Sequence, residues 1–264
     1  MDSIRPPEQG LDLWDGVKAW RIWTLLAFQD IKMRYRGSAL GPFWIVANLV
    51  VVLGGITVLY GELLNQPYDT FMPFLTISMV LMGMFMPMLI ESCNSFAAAP
   101  EVVRQVRMPL SVLVMRTVFR NLLVTAHNIV IIIIVFAIFK KLGGIKPLET
   151  IAGVILFLGN LSWMSVLLAV AGARYKDVIQ IVTSALNFLV IFTPLYWVPE
   201  LIKNNRILLD ANPLYHLIEV VRDPILGQAA SQTNYIVTSV MAVLGWVVTA
   251  LVFAGARKRI AFWV

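Results

Sequence analysis

Between Arg120 and Lys140 the chain reads NLLVTAHNIVIIIIVFAIF, Asn121 to Phe139, without a single charge. As a helix these residues rise about 28 Å, close to the hydrocarbon thickness of a bilayer. The run is far too long for a buried strand and has no polar face for an ordinary surface helix. Five further uncharged runs of the same kind flank it: Phe43 to Gly61, Phe71 to Ile90, Thr150 to Ala173, Val178 to Pro199 and Ile236 to Ala256. The expected fold is therefore all-α, with six transmembrane helices. Arg116 and Arg120 lie in the apolar pattern leading into the third, which leaves its start the least defined of the twelve ends.

Composition agrees with the spans. Of 264 residues 59% are hydrophobic and 14% charged, against about a quarter charged in soluble domains. That excludes a soluble enzyme or a nucleic-acid binder. The net charge of +6 is read instead as loop lysines and arginines facing anionic lipid. Cys93 is the sole cysteine, so the chain has neither an internal disulfide nor a CxxC metal motif.

With both termini inside, 15 of the 21 Lys/Arg fall on the cytoplasmic side. They precede the first span, or sit in the loops after the second and fourth, or follow the sixth. Six lie opposite: Lys140, Lys141, Lys146, Lys203, Arg206 and Arg222. The positive-inside rule then gives a multi-pass protein of the inner (cytoplasmic) membrane with cytoplasmic termini. The first forty residues hold no short apolar core with a cleavage site, so no removable signal peptide is expected. No internal repeat is visible, which argues against an inverted-repeat secondary transporter.

Residues 1–36 divide from residues 37–264 as a cytoplasmic region carrying an interfacial helix, Asp15 to Arg36. At 100° per residue Val17, Trp20, Phe28, Ile31 and Tyr35 gather on one side, with Lys18, Arg21, Gln29, Lys32 and Arg36 opposite. Leu25 and Arg34 break the pattern. Such a helix suits the membrane surface, as a lipid anchor or as a contact for a cytoplasmic partner. After the second span, Ala97 to Pro109 holds a short charged helix framed by Pro100 and Pro109, with Glu101, Arg104 and Arg107. It reads as a rigid knob or as a plain connection. Arg174, Tyr175, Lys176 and Asp177 form a cytoplasmic turn. Pro199 to Asn234 is too long for a structureless loop. Asn212-Pro213 is a good helix start, Leu214, Leu217, Ile218 and Val221 recur at helical spacing, and Asp223-Pro224 stops the run. This outer helix either lies on lipid or folds back to line a cavity.

Catalytic signatures are missing. There is no GxxxxGK[ST] loop for ATP, no HExxH and no GxSxG. His127 reads as a hydrogen-bonded packing residue inside the third span, and His216 as a solvated partner of Glu219 at i, i+3. Glu62 and Glu91 fall at span ends, while Arg116 and Arg120 are expected to snorkel to the cytoplasmic surface. Aromatic rings are plentiful: Phe43, Trp44, Tyr60, Phe71 and Phe74 around the first hairpin, and Phe192, Tyr196 and Trp197 along and beyond the fifth span. They fit an interfacial belt and lipid-facing packing, or a pore whose flat rings stack on sugars while binding weakly. Met72, Met79, Met82 and Met86 share one face of the second span, as packing residues or as an adaptable wall.

The run Gln29-Asp30-Ile31-Lys32-Met33-Arg34-Tyr35-Arg36-Gly37-Ser38-Ala39-Leu40-Gly41-Pro42-Phe43-Trp44 resembles the lead-in of ABC-2 type permeases that export polysaccharides, whose pattern is close to R-D-x-K-x-R-Y-x-x-S-x-L-G-x-x-W. Gln29 stands where that family has Arg. Arg104 to Pro109 is similar to the family's first cytoplasmic coupling loop, Tyr175 to Val178 to the run into span five, and Asn212-Pro213 to Arg222 to its outer Asn-Pro…Arg segment. The closest likeness is to lipopolysaccharide O-antigen permeases, with capsule and teichoic-acid permeases next.

The resemblance implies a type V ABC exporter transmembrane domain that works as a homodimer with two copies of a separate ATPase, which binds ATP and Mg; no cofactor is expected in this chain. It implies force transfer through Asp30, Lys32, Arg34 and Arg36, through Pro100, Glu101, Arg104 and Arg107, and through Arg174, Lys176 and Asp177. It implies a periplasmic gate of short helices between spans five and six around Asn212, Pro213, Tyr215, His216, Glu219 and Arg222, and a glycan path along rings at the dimer interface. The expected partners are thus a second copy, the ATPase, a lipid-linked polysaccharide and membrane lipid. The alternatives are an ABC-2 exporter of teichoic acid, a lipid or a drug, and, from another class, a membrane-embedded enzyme or scaffold.

Overall fold

The computed structural model describes residues 12–39, 41, 43–106, 108–199 and 207–264, and all regular elements among them are helical. In chain order they are α1 (Asp12–Lys18), α2 (Trp20–Arg34), α3 (Phe43–Leu63), α4 (Tyr68–Cys93), α5 (Pro100–Gln105), α6 (Ser111–Ile138), a 3-10 turn (Leu142–Gly144), α7 (Pro147–Arg174), α8 (Val178–Phe192), α9 (Ile207–Asp210), α10 (Pro213–Ile225) and α11 (Gln232–Trp263). Five of them, α3, α4, α6, α7 and α11, are long and apolar enough to cross a membrane.

The expected fifth span, Val178 to Pro199, is helical only through Phe192. Pro194 lacks an N–H and disfavours a helical Thr193 before it, so the helix ends there. Its 15 residues rise about 22 Å, short of the roughly 30 Å of hydrocarbon. The third span begins earlier than expected, at Ser111. Helix α6 runs on past Arg116 and Arg120 because both find carboxylate partners (below).

Helix α4 is the hub. It packs against α3, α6, α7, α8 and α10, and Leu75, Ile77, Met84, Phe85 and Met88 are buried. Its hydroxyls bond within the helix, Thr76 to the Met72 carbonyl (2.7 Å), Ser78 to that of Phe74 (2.8 Å) and Ser92 to that of Met88 (2.6 Å). Polar groups satisfied in this way are tolerated in an apolar surround. Met82 belongs to the main core and Met86 packs against it, while Met72 and Met79 pack against a second cluster around Leu53, Phe71 and Phe74, the packing role.

Helix α7 is held by contacts that leave no room for a side chain. A Cβ on Gly172 would sit 1.9 Å from the Cys93 carbonyl oxygen of α4, and one on Gly153 would sit 2.0 Å from the Val220 carbonyl oxygen of α10. Midway, Trp163 lies on Gly245 of α11, and its Nε1 donates to Asn160 Oδ1 (3.0 Å). Asn160 Nδ2 in turn donates to the Thr238 carbonyl of α11 (3.0 Å). Small residues and amide bonds across helices are the means of association where lipid supplies no hydrophobic drive. By contrast α3 rests on α4 and α6 through buried Leu53, Thr57 and Gly61 with half-buried Val46, Leu49, Ile56 and Tyr60 beside them, and leaves Val51, Val58 and Leu59 exposed. Helices α1 and α11 meet at one end of the bundle, where Arg257 Nε of α11 lies 3.1 Å from Asp12 Oδ2 of α1.

Gly172→Ala and Gly153→Ala are each expected to cost about 1–3 kcal/mol, as overpacking does. Gly159→Ala, whose Cβ meets nothing within 4 Å, should be neutral or stabilising by under about 1 kcal/mol. Thermal melting of the detergent-solubilised protein checks the contrast.

Candidate functional site

Charged residues collect at the two ends of the bundle. At the end where α1 and α11 meet, Asp12 caps α6 from outside. The residue preceding α6, Leu110, has no side chain to do so. Asp12 accepts from the Leu110 and Ser111 backbone N–H groups (3.3 and 3.2 Å) and from Ser111 Oγ (3.0 Å). A carboxylate suits the positive end of a helix. Gly16 lets α1 lie this close, since its Cβ would fall 2.0 Å from Ser111 Oγ.

One turn of α6 further, α2 docks through Asp30. Its carboxylate accepts from Arg116 Nε (2.7 Å) and Nη2, and from Arg120 Nη1 (2.7 Å). Arg120 Nη2 reaches Glu91 of α4 (2.8 Å), which also accepts from Asn121 Nδ2 (2.8 Å) and Arg34 Nη2 (3.2 Å). Helices α2, α4 and α6 are thus joined by one network of five charges. Burial alone would raise the Asp30 pKa, but hydrogen bonds and charge from Arg116 and Arg120 outweigh it and hold the group below the ordinary carboxylate value. Trp23 and Phe28 add edge-on contacts to Phe119.

Arg116 and Arg120, expected to snorkel, find carboxylate partners on neighbouring helices while their side chains keep some exposure at this end of the bundle. The face of the surface helix that meets protein is Asp12, Gly16, Trp23, Ala27 and Asp30, while Val17, Trp20 and Phe28 are largely exposed. Small and acidic residues pack against α6, leaving most of the rings and the basic residues to the surroundings. The single helix expected from Asp15 to Arg36 is also two, broken at Ala19.

The remaining residues expected to couple stay at this end but outside the network. Helix α5 begins at Pro100, buries Val103 against the core and leaves Glu101 and Arg104 exposed; it touches α11. Arg107 lies outside the described residues. Lys32, Arg36, Lys176 and Asp177 are exposed. Arg174 donates from Nε to the Tyr175 hydroxyl (2.8 Å) and stacks over the Tyr175 and Trp263 rings.

At the opposite end α10 folds back into the bundle instead of lying on lipid. It packs on α7, α11 and α4. Asn212 caps it, accepting from Leu214 N–H (3.0 Å) and donating to Thr193 Oγ1 (2.9 Å), and Pro213 takes the first helical position. Arg222, 1% exposed, donates to Ser78 Oγ of α4 (2.6 Å), to the Pro194 carbonyl (2.7 Å) and to Glu219, with its guanidinium 3.9 Å from the Phe74 ring centre. Burial opposes ionisation of Glu219, yet Arg222, Asp223 and His216 hold its pKa below the ordinary value. The expected solvated His216–Glu219 pair is therefore overturned. Both are buried, and His216 bonds Asn234 Oδ1 (2.7 Å) and the Asp210 carbonyl (2.9 Å). His127 keeps its packing role, with Nδ1 2.7 Å from the Leu123 carbonyl.

A cavity of about 950 Å³ opens beside α10, walled by the start of α4, the end of α6, the segment at Val198–Pro199 and the start of α11. Of the eight rings expected along a path, Phe71 and Phe74 line it, stacked 6.4 Å apart. Tyr60 and Tyr196 pair at 6.3 Å near by, and Trp197 is half-buried. Phe43 and Trp44 lie exposed at the far end of α3, and Phe192 packs on Phe188. The structure thus gathers two of the eight at one cavity. Sequence reasoning missed Asp12, whose partners are about a hundred residues away, and the Glu91–Arg120 bridge. The latter had a signal, since opposite charges at the ends of successive spans call for each other.

A sequence model of the family described as "ABC-2 type transporter" matches residues 21–226. Among curated proteins the chain is similar to the "O-antigen export system permease protein RfbA" of Klebsiella pneumoniae, 22% identical over 234 residues, which are 86% of this chain and 88% of that one.

Asp30→Asn leaves Arg116 and Arg120 facing each other without their shared carboxylate. We expect a loss of about 1–3 kcal/mol, below the value for a fully buried pair because both arginines are partly exposed. Protease cleavage within residues 20–36 should speed up, and Lys32→Gln should leave it unchanged. Since the Asp30 pKa is lowered, its contribution is present above the ordinary carboxylate value. It is lost only as pH falls through the lower folded value, so docking of α2 should survive mild acid.

Proposed function

The chain belongs to the ABC-2 type transporter family, and on that premise we propose that it is the permease subunit of an ATP-driven exporter of a lipid-linked polysaccharide, with O-antigen favoured over capsular polysaccharide. The observation that carries this reading is a likeness spanning 86% of the chain to a protein named as an O-antigen export permease, in a sequence with no phosphate loop of its own. The chemistry of ATP and Mg then belongs to a separate nucleotide-binding subunit, two copies per homodimer of this chain.

The geometry supports such a division of labour. Helix α5 presents Glu101 and Arg104 at the end of the bundle where α1, α2 and the carboxyl-terminal end of α11 meet. A push on that surface bears directly on α6 and α11, and the Asp30–Arg120–Glu91 bridge carries it into α4. In this reading α8 with the irregular segment after it is the sixth crossing, that end of the bundle is cytoplasmic, and the membrane is the inner one. The outer end, with α9, α10 and their cavity, is the exit.

The purified chain is expected to hydrolyse no ATP alone and to form a stable, ATP-hydrolysing complex when co-expressed with a phosphate-loop ATPase encoded beside it. Robust hydrolysis by the lone chain contradicts the reading. Reversing Arg104 and Arg107 to Glu should lower surface glycan about tenfold or more, since like charges set against a partner surface are costly, while membrane insertion stays intact. Unchanged export would remove α5 from the coupling path.

A further inference from the structure

We infer that the last turns of α11 are a clamp that sets α5 and the turn at 174–177 as one docking surface, with Trp263 as its positioning residue. This rests on the export reading above and adds the part of the chain that organises the ATPase contact. Helix α11 has 32 residues and rises about 48 Å, well beyond the roughly 30 Å of hydrocarbon. Its uncharged run stops at Ala256, so the turns from Arg257 onward stand outside the hydrocarbon beside α5. At 100° per residue Arg257, Ile260 and Trp263 share one face, with Lys258 and Phe262 opposite. Burial follows that division: Ile260 is buried and Trp263 half-buried, while Lys258 and Phe262 are exposed.

Each residue of that face meets a different segment. Arg257 pairs with Asp12 of α1. Ile260 lies in the core that also takes up Val103 of α5, and α11 touches α5 there. Trp263 holds the Arg174 guanidinium at the end of α7, 5.0 Å from its ring centre. The same guanidinium lies 5.1 Å from the Tyr175 ring, and its Nε donates to the Tyr175 hydroxyl. A flat cation over two rings fixes the turn after α7, although Arg174 and Tyr175 are both exposed. The α4–α6 connection and the α7–α8 turn, far apart in sequence, thus rest on one helix. Glu101 and Arg104 of the first and Lys176 and Asp177 of the second stay exposed and available to a partner.

The test uses the purified full chain in nanodiscs and the phosphate-loop ATPase encoded beside it, with their affinity read by biolayer interferometry. Trp263→Ala should weaken binding about three- to tenfold, the size of a lost cation–ring stack. Trp263→Phe keeps a ring face and should recover most of that loss. Arg174→Lys keeps the charge without the flat guanidinium and should bind as weakly as Trp263→Ala. The two changes combined should cost no more than either alone, since they break one contact. Phe262→Ala, on the opposite and exposed face, should bind as the unaltered chain does. Undiminished affinity in Trp263→Ala or in Arg174→Lys, or losses that multiply in the double variant, overturns the proposal. Should Trp263→Ala fail to fold, Arg174→Lys, on an exposed side chain, decides alone. If the unaltered chain binds its ATPase and these variants bind equally well, the export reading stands and only the clamp falls. No complex with the unaltered chain removes both.

Discussion

A charge held beside hydrocarbon must find an opposite charge or a strong hydrogen-bond partner, and that requirement shapes both ends of this bundle. At one end Asp12, Asp30 and Glu91 take up Ser111, Arg116, Arg120 and Arg34. At the other, Arg222 takes up Glu219, Ser78 and the Pro194 carbonyl. Apart from Glu219, which shares α10 with Arg222, each partner sits on a different helix or on a break in one, so satisfying the charges fixes how the helices meet. The break after α8 illustrates this. Proline ends the helix inside the protein, and a buried guanidinium supplies the hydrogen bond that the freed carbonyl needs.

Helix α4 touches both sites. Glu91 lies at one end of it and Ser78, thirteen residues earlier, lies about 20 Å along the axis. Helix α7 holds the opposite side through Gly153, Trp163 and Gly172, where backbones or rings come too near for any extra methyl. A rigid α4–α7–α11 block results, with α2 and α10 clamped to it by charge. Helix α3 is the loosely held member, with one apolar face left open.

The membrane class and five of the six expected spans were legible from uncharged runs alone, because nothing but a bilayer rewards about twenty apolar residues in a row. The Asn212-Pro213 start and the Pro100 start of α5 were legible because capping and proline chemistry are local, whereas α5 ends at Gln105 and not at Pro109. What lay beyond the sequence was pairing. Asp12 carries no local sign of its place at the start of α6, and Asp30 carries none of the two arginines through which it docks α2. His216 and Glu219 looked solvated because their spacing is that of a surface pair, and only the fold-back of α10 buries them.

Everything turns on the α5 end and the cavity end of the bundle facing opposite sides of the membrane. In a Cys93→Ser background, single cysteines placed by Gln105→Cys and Lys176→Cys, and by Asn65→Cys and Gln228→Cys, can be labelled with an impermeant maleimide in intact cells and in inverted vesicles. The account predicts that Asn65→Cys and Gln228→Cys react in cells and that Gln105→Cys and Lys176→Cys react only in inverted vesicles. Labelling of Gln105→Cys in intact cells, or of all four from one side, would contradict it.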